Sequence, residues 1–134
     1  MEIDGSNVIV TGGRRGLDKA LVDAFLGSGA AKVYATARTP QDSGDDRVIP
    51  VPLDVTDPSS LTSLSEHAAD ATIVVNNAGT QHRDNLLDVD IQTVRALFER
   101  NVFGALRVAQ SVAPVLARIG GGALVHHVCH VVGH

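Results

Sequence analysis

Apolar runs of strand length alternate along this chain with segments whose apolar residues recur at helical spacing. Five runs are almost continuously apolar or β-branched, as expected for parallel strands that are covered on both faces. They predict strands at Asn7–Thr11, Lys32–Ala37, Val48–Pro52, Ala71–Asn76 and Ala123–His127. Helices are predicted at Leu17–Ser28, Pro58–Ala69 and Ile91–Ile119. This alternating series predicts an α/β fold with an open, doubly wound parallel sheet and right-handed crossovers.

The third predicted helix is the longest amphipathic segment of the chain. Its apolar residues recur in steps of three and four, which predicts one long buried face. The positions are Ile91, Val94, Phe98, Val102, Ala105, Ala109, Val112, Leu116 and Ile119. Pro114 should bend this helix, because its ring removes one backbone hydrogen bond. Asp57 and Pro58 form a cap and first-turn pair for the second helix.

The composition narrows the class of protein. A length of 134 residues favours a single domain that comprises residues 1–134. The net charge of −4, with scattered basic residues, argues against a nucleic-acid partner. No apolar run approaches the roughly 20 residues that cross a bilayer, and the acidic start Met1–Asp4 does not read as a signal peptide. The one cysteine, Cys129, suits a reducing compartment. We therefore expect a cytoplasmic protein without a membrane partner.

A glycine-rich turn between the first strand and the first helix carries the first candidate chemistry. It reads Thr11-Gly12-Gly13-Arg14-Arg15-Gly16-Leu17. Glycines let the backbone turn tightly and approach an anion, and the free N–H groups of the helix's first turn point at that anion. The order of strand, turn and helix therefore predicts a phosphate cradle, and dinucleotide binding is the leading functional interpretation. The alternative is that Gly12 and Gly16 only close a tight turn.

Four motifs together resemble the short-chain dehydrogenase/reductase family. They are Thr11-Gly12-x-x-x-Gly16, Asp54-Val55, Asn76-Asn77-Ala78-Gly79 and Asn101-Val102-Phe103-Gly104, in the family's order and spacing. The resemblance runs from the first strand to about Gly122, and its Asn-Asn-Ala-Gly motif is more specific than the glycine turn. It implies a Rossmann-like doubly wound sheet, truncated here after about the fifth strand.

The resemblance also implies a role for each matching residue. Residues of the turn, namely Gly12, Arg14, Arg15, Gly16 and Leu17, would line the pyrophosphate and ribose of a nicotinamide dinucleotide. Asp54 and Val55 would face the adenine ring, and Asn77, Ala78 and Gly79 would pass beneath the cofactor, with Asn76 tying the fourth strand to its neighbours. Asn101 would be the active-site asparagine, which interrupts the long helix and holds a water in a proton relay.

Two of these residues have simpler structural interpretations. Asp54 could cap its own loop. Asn101 lies on the apolar stripe of the third helix, where a buried polar side chain must have a partner, and it could simply bond a neighbouring carbonyl.

The choice of cofactor follows from charge. An acidic residue about 20 positions past the glycine turn would bind the ribose hydroxyls of NAD. Ala37 occupies that position here and Arg38 follows it. With no carboxylate to repel a 2′-phosphate and a guanidinium beside it, NADP is favoured over NAD. Arg15 adds a second positive charge. The alternative is that both arginines are solvated surface residues.

Three positions depart from the family pattern. Asp18 replaces the third glycine of the turn, and a carboxylate about 4 Å from a phosphate charge would repel it by roughly 4 kcal/mol at an effective dielectric of 20. Asp18 could instead point outward and favour the helix dipole. Cys129 and His130 fall where the family has a serine pair. The catalytic Tyr-x-x-x-Lys does not occur in these residues, and Tyr34 has no lysine four positions later.

The histidines near the end of the sequence raise the question of a metal. His126, His127, His130 and His134 lie near Cys129, but adjacent strand residues point to opposite faces and the spacing fits no familiar zinc motif. We therefore predict no metal site.

Two functions are favoured at the level of the sequence, and a metal-binding protein built on the histidine-rich tail is the least favoured third. The first is an NADP-dependent oxidoreductase that transfers hydride between the nicotinamide and a small carbonyl or alcohol substrate. The second is a catalytically inactive, truncated module that binds a dinucleotide or another subunit. An open fifth strand and uncovered apolar residues near Val112 and Leu116 would favour a homo-oligomer in either case.

Overall fold

Strands and helices alternate along the computed structural model, which describes residues 2–12, 17–79, 85 and 87–126. The elements are β1 (Asn7–Val10), α1 (Leu17–Gly27), β2 (Lys32–Ala37), β3 (Val48–Pro52), α2 (Pro58–His67), β4 (Ile73–Asn76), α3 (Ile91–Phe98), a π-helical segment (Glu99–Gly104), α4 (Ala105–Arg118) and β5 (Ala123–His126). Within the described ranges the five strands are parallel, in the order β3-β2-β1-β4-β5. The predicted doubly wound α/β fold is confirmed.

The sheet carries a hydrophobic core on each face, because successive side chains of a strand point to opposite sides. Ile9 packs on one face in a cluster with Leu64 of α2 and Val112 of α4. Val8 and Val10 pack on the other face, where α1 covers them. β1 is therefore buried on both sides, which explains its uninterrupted apolar sequence.

The predicted third helix is divided into three parts. A π-helical segment, Glu99–Gly104, separates α3 from α4, and this interruption falls at Asn101, as the family resemblance implied. Pro114 lies inside α4, which continues to Arg118.

The expected single buried face of this region is wrong in its first half. Ile91, Phe98 and Val102 are exposed. The π-helical segment changes the register between α3 and α4, so the apolar stripe does not continue on one face through both helices. In α4 the buried residues are Ala105, Val108, Val112, Val115 and Leu116.

The expectation that Val112 and Leu116 lack cover is also wrong. Both are buried, in a cluster with Leu61 and Leu64 of α2. Ser111 Oγ donates a hydrogen bond of 2.9 Å to the carbonyl of Leu61. Helix α2 therefore covers this part of α4.

The two outer strands of the described sheet differ in sequence. In β5, Leu124 and Val125 are half exposed. In β3, Pro50 and Pro52 are exposed, whereas Val48 and Val51 are buried. The amide of Leu53, just after β3, donates a hydrogen bond of 2.9 Å to the carbonyl of Ala37 in β2.

The helix α2 begins as predicted. Asp57 Oδ1 accepts a hydrogen bond of 3.0 Å from the amide of Ser59, and Pro58 occupies the first turn, where it needs no donor.

Two buried threonines differ in how their hydroxyls are satisfied. Thr11 Oγ accepts hydrogen bonds from the amides of Asn77 and Ala78 at 3.0 and 3.1 Å. Thr36 Oγ has no hydrogen-bond partner among the described residues, although the residue is only 1% exposed.

We predict that Thr36→Val raises the free energy of unfolding by about 1 kcal/mol and that Thr11→Val lowers it by about 1–3 kcal/mol. Urea unfolding measures both changes.

The two variants control for each other, since each replaces a buried hydroxyl with a methyl group of similar size. Equal losses of stability in both variants would contradict the prediction.

At the amino end of the sheet, three polar side chains form a cluster. Lys32 Nζ donates to Asp70 Oδ2 and to Tyr34 Oη, and Tyr34 Oη donates to Asp70 Oδ1 at 2.6 Å. Partial burial acts to raise the pKa of Asp70, but the hydrogen bonds from Lys32 and Tyr34 outweigh it and leave this pKa below its ordinary value.

This depressed pKa makes part of the stability depend on pH. A carboxyl whose folded pKa is lowered contributes stability above its unfolded pKa, about 3.9, and loses that contribution as the pH falls through the folded value. We expect Asp70→Asn to destabilise the chain at pH 7 and the difference from the wild type to shrink below about pH 4. Urea unfolding from pH 3 to pH 7 tests this; a difference that grows with acidity would contradict it.

Candidate functional site

The carboxyl ends of the strands bring most of the predicted site residues to one edge of the sheet. Gly12 follows β1, Arg38 follows β2, Asp54 lies two residues after β3, and Asn77 follows β4. Ligands of open α/β sheets bind at this edge, where the strand order reverses. The reversal lies here between β1 and β4.

The hydroxyl of Thr11 joins the two loops at the reversal. It accepts from the amides of Asn77 and Ala78 and lies 3.3 Å from Asn76 Oδ1, to which it donates. Both lone pairs and the proton are thus used. The loop after β4 is held directly against the turn after β1.

Gly12 meets this loop at close range. Its φ is +92°, and a Cβ at this position would lie 3.1 Å from Ala78 Cα. Both the left-handed backbone and the close approach favour glycine. The glycine at position 12 therefore has a second role besides the turn, because it lets the backbone after β1 pack closely against the loop after β4.

Asp18 faces into this space. Asn77 Nδ2 donates a hydrogen bond to Asp18 Oδ1, and the same oxygen would lie 3.2 Å from a Cβ on Gly12. The suggestion that Asp18 points outward is wrong. Its carboxylate lies between the loop after β4 and the turn that was expected to receive a phosphate.

Asn76 and Asn101 connect β4 with the helical region. Asn76 is buried, and its Nδ2 donates a hydrogen bond of 2.8 Å to the carbonyl of Ala105 at the start of α4. Asn101 lies in the π-helical segment, with its Oδ1 3.2 Å from the position of a Cβ on Gly79. Short π-helical insertions occur often at functional sites. The side chain of Asn101 therefore meets the loop that was expected to pass beneath the cofactor.

Asp54 caps its own loop, as the simpler interpretation proposed. Its Oδ1 accepts from the hydroxyl and the amide of Thr56, at 2.6 and 2.9 Å. These hydrogen bonds hold the pKa of Asp54 below its ordinary value, and the positive charges of Arg100 and Arg38 lower it further. The capping role is compatible with a second contact, because the carboxylate is exposed.

Sequence reasoning missed how Val55 is fixed. A Cβ on Gly104 would lie only 2.5 Å from Val55 Cγ2, so glycine lets the π-helical segment lie directly on this loop. The glycine that ends the motif Asn101-Val102-Phe103-Gly104 could have indicated this close contact, but it was assigned no role from the sequence. Arg100 was also missed. Its guanidinium is close enough to influence Asp54.

Several predicted residues lie outside the part of the chain that the structure describes. These are Arg14, Arg15, Gly16, and the tail with His127, Cys129, His130 and His134. Leu17, the first residue of α1, is half exposed.

Within the described ranges, no three His, Cys, Asp or Glu side chains come together as a metal site would require. Helices long and apolar enough to cross a bilayer are likewise absent from those ranges.

Comparison with known proteins gives one consistent result. The sequence model of the family described as short chain dehydrogenase matches residues 6–134. An oxidoreductase of Botryotinia fuckeliana is 35% identical over 84% of this chain and 45% of its own length. A sorbitol dehydrogenase of Cereibacter sphaeroides is 30% identical over 91% of this chain and 50% of its own length.

The solved structures agree. A short chain dehydrogenase from Burkholderia cenocepacia, crystallised in complex with NADP, is 36% identical and superposes with a TM-score of 0.87 over 94% of this chain and 54% of its own. The chain therefore spans about half the length of the relatives that it matches.

The contact between Gly104 and Val55 leads to a test. Alanine normally stabilises a helix by up to about 1 kcal/mol over glycine, but at Gly104 the added Cβ would clash with Val55. We expect Gly104→Ala to lower the free energy of unfolding by about 1–3 kcal/mol, and Val55→Ala to recover much of the loss in the double variant.

Gly27→Ala is the matched control, because a Cβ at this α1 position meets no atom within 4 Å. It should be neutral or stabilising in the same urea unfolding experiment. A Gly104→Ala variant as stable as Gly27→Ala would contradict the contact.

Proposed function

Because the chain belongs to the short-chain dehydrogenase family, we propose that it is the cofactor-binding half of an NADP-dependent oxidoreductase that acts on a small carbonyl or alcohol. The observation that carries the proposal is the junction of the two loops at the strand reversal, where Thr11 holds the loop after β4 against the turn at Gly12. Ligands of open α/β sheets bind across the carboxyl ends of the strands at such a reversal, a place that suits an extended dinucleotide.

The proposed roles are those that the family resemblance implies for each residue. Gly12, together with Arg14, Arg15, Gly16 and Leu17, would hold the diphosphate and ribose. Asp54 and Val55 would border the adenine. Asn77, Ala78 and Gly79 would support the nicotinamide end, where bound NADP supplies or accepts a hydride. Asn101, whose carboxamide meets Gly79, would position a water for proton transfer.

The proposal of NADP over NAD rests on charge at the adenosine end. Arg38 follows β2 and is exposed, and its positive charge and that of Arg100 both act on Asp54. A guanidinium at this place favours a 2′-phosphate over a free hydroxyl. The relative from Burkholderia cenocepacia, with NADP bound, supports the same choice.

The described residues fit a dinucleotide with one exception. Glycine at position 12 leaves the backbone open to a phosphate, but the Asp18 carboxylate lies beside it and is held there by Asn77. This like charge favours the second function as an alternative, a catalytically inactive module that binds the cofactor weakly or binds another subunit. The proposed cytoplasmic location and homo-oligomer stay predictions for both functions.

Variants at Asp18 test the proposal. We expect Asp18→Asn and Asp18→Gly to bind NADPH at least about ten-fold more tightly than the wild type, because each removes about 1.4 kcal/mol or more of charge repulsion. Asparagine keeps an oxygen that accepts from Asn77, so this variant isolates the charge. Fluorescence titration of NADPH measures the affinities.

Asp23→Asn is the matched control, because Asp23 lies on the same helix and pairs with Lys19 at the surface. It should bind NADPH like the wild type. Failure of the wild type and both Asp18 variants to bind NADPH would contradict a cofactor-binding role. Tighter binding by Asp18→Gly alone would contradict charge repulsion and indicate a steric or backbone effect.

A further inference from the structure

An ion pair brackets the π-helical segment. Glu99 is the first residue of the segment, and Arg107 is the third residue of α4, just beyond its end. Arg107 Nη1 donates to Glu99 Oε1 at 2.6 Å, and both side chains are about two-fifths exposed, at 36% for Arg107 and 42% for Glu99. The ion pair thus spans the whole π-helical segment, Glu99–Gly104.

The spacing of this pair is unusual for a helix. Ion pairs on an α-helix join residues three or four apart, whereas Glu99 and Arg107 are eight apart. Eight α-helical residues would turn the second side chain by about 80° from the first, at 3.6 residues per turn. A π-helical turn holds one extra residue. The eight-residue spacing then behaves like seven, which leaves the two side chains only about 20° apart.

The ion pair therefore matches the π register and not the α register. Return of the segment to an ordinary α-helix would turn Arg107 away from Glu99 by roughly a quarter of a turn. The same return would move Asn101, which lies between them, away from Gly79. The state that keeps the ion pair is also the state that places the Asn101 carboxamide at the loop after β4.

We infer that Glu99 and Arg107 are positioning residues, whose ion pair keeps Glu99–Gly104 in the π register and so holds Asn101 against Gly79. The inference depends on the proposed function only for the consequence that Asn101 serves the cofactor site. Its structural part concerns this chain alone. The far end of the segment is fixed separately, where Gly104 packs on Val55.

The experiment compares Glu99→Gln, Arg107→Gln and the reversed pair Glu99→Arg/Arg107→Glu in the full chain. Two measurements report on the segment directly: the side-chain amide NMR signals of Asn101 and the hydrogen exchange of the backbone amides of residues 101–104. Each single variant should shift the Asn101 signals and speed the exchange about two- to five-fold, the range expected for a partly exposed ion pair. The reversed pair should restore both.

The ion pair between Lys19 and Asp23 provides the matched control, because it is also exposed and lies on a regular helix. Asp23→Asn should leave the Asn101 signals and the exchange of residues 101–104 unchanged. Unaltered Asn101 signals in both single variants would overturn the inference. So would a reversed pair that fails to restore them, or a uniform rise in exchange over all helices, which would indicate general support of the fold.

NADPH titration of the same variants separates this inference from the proposed function. Absence of NADPH binding by the wild type and the Asp18 variants would contradict the proposed function, while the NMR and exchange results would still decide the role of the ion pair. Where NADPH binds, a shift of the Asn101 signals on binding that is smaller in the single variants than in the wild type and the reversed pair supports both. An equal shift in all variants overturns the inference.

Discussion

The site depends on one hydroxyl group. Thr11 directly follows β1. Its hydroxyl oxygen accepts hydrogen bonds from the amides of Asn77 and Ala78, the two residues that follow β4. A buried hydroxyl that is fully bonded holds its partners in fixed places, since each lost bond would leave a polar group unpaired. The close approach of Gly12 to Ala78 depends on this contact, and so does the place of Asn77 beside Asp18.

Further contacts fix the helical region between β4 and β5 relative to the carboxyl edge of the sheet. Asn76 bonds the first residue of α4, Gly104 lies on Val55, and Asn101 meets Gly79. Each contact joins the carboxyl edge of the sheet to the helical region between β4 and β5. The π register is thus held by contacts from several directions.

The five strands could be predicted to within two residues at their described ends, because burial in the sheet selects short apolar runs. The differences are at β1, predicted to reach Thr11, and at β4, predicted to begin at Ala71. The π-helical segment could not be placed by periodicity, because one extra residue changes the helical register without changing the kind of residue at each position. A continuous α-helical stripe had assigned Phe98 and Val102 to the core, and both are exposed in the structure. The inward carboxylate of Asp18 was equally hidden, because its direction depends on an asparagine that lies 59 residues away along the chain.

The prolines of β3 give the sheet two unlike borders. Leu53 directs its amide toward β2, so the alternate positions Pro50 and Pro52 are those whose nitrogens face away from the sheet. The backbone nitrogen of proline carries no hydrogen, so a strand added beside β3 would have no hydrogen-bond donor at either position. Ala123–His126 has no proline, and its Leu124 and Val125 offer half-exposed apolar surface. Of the two borders of the described sheet, the one at β5 therefore offers an added strand the more complete set of hydrogen-bond donors.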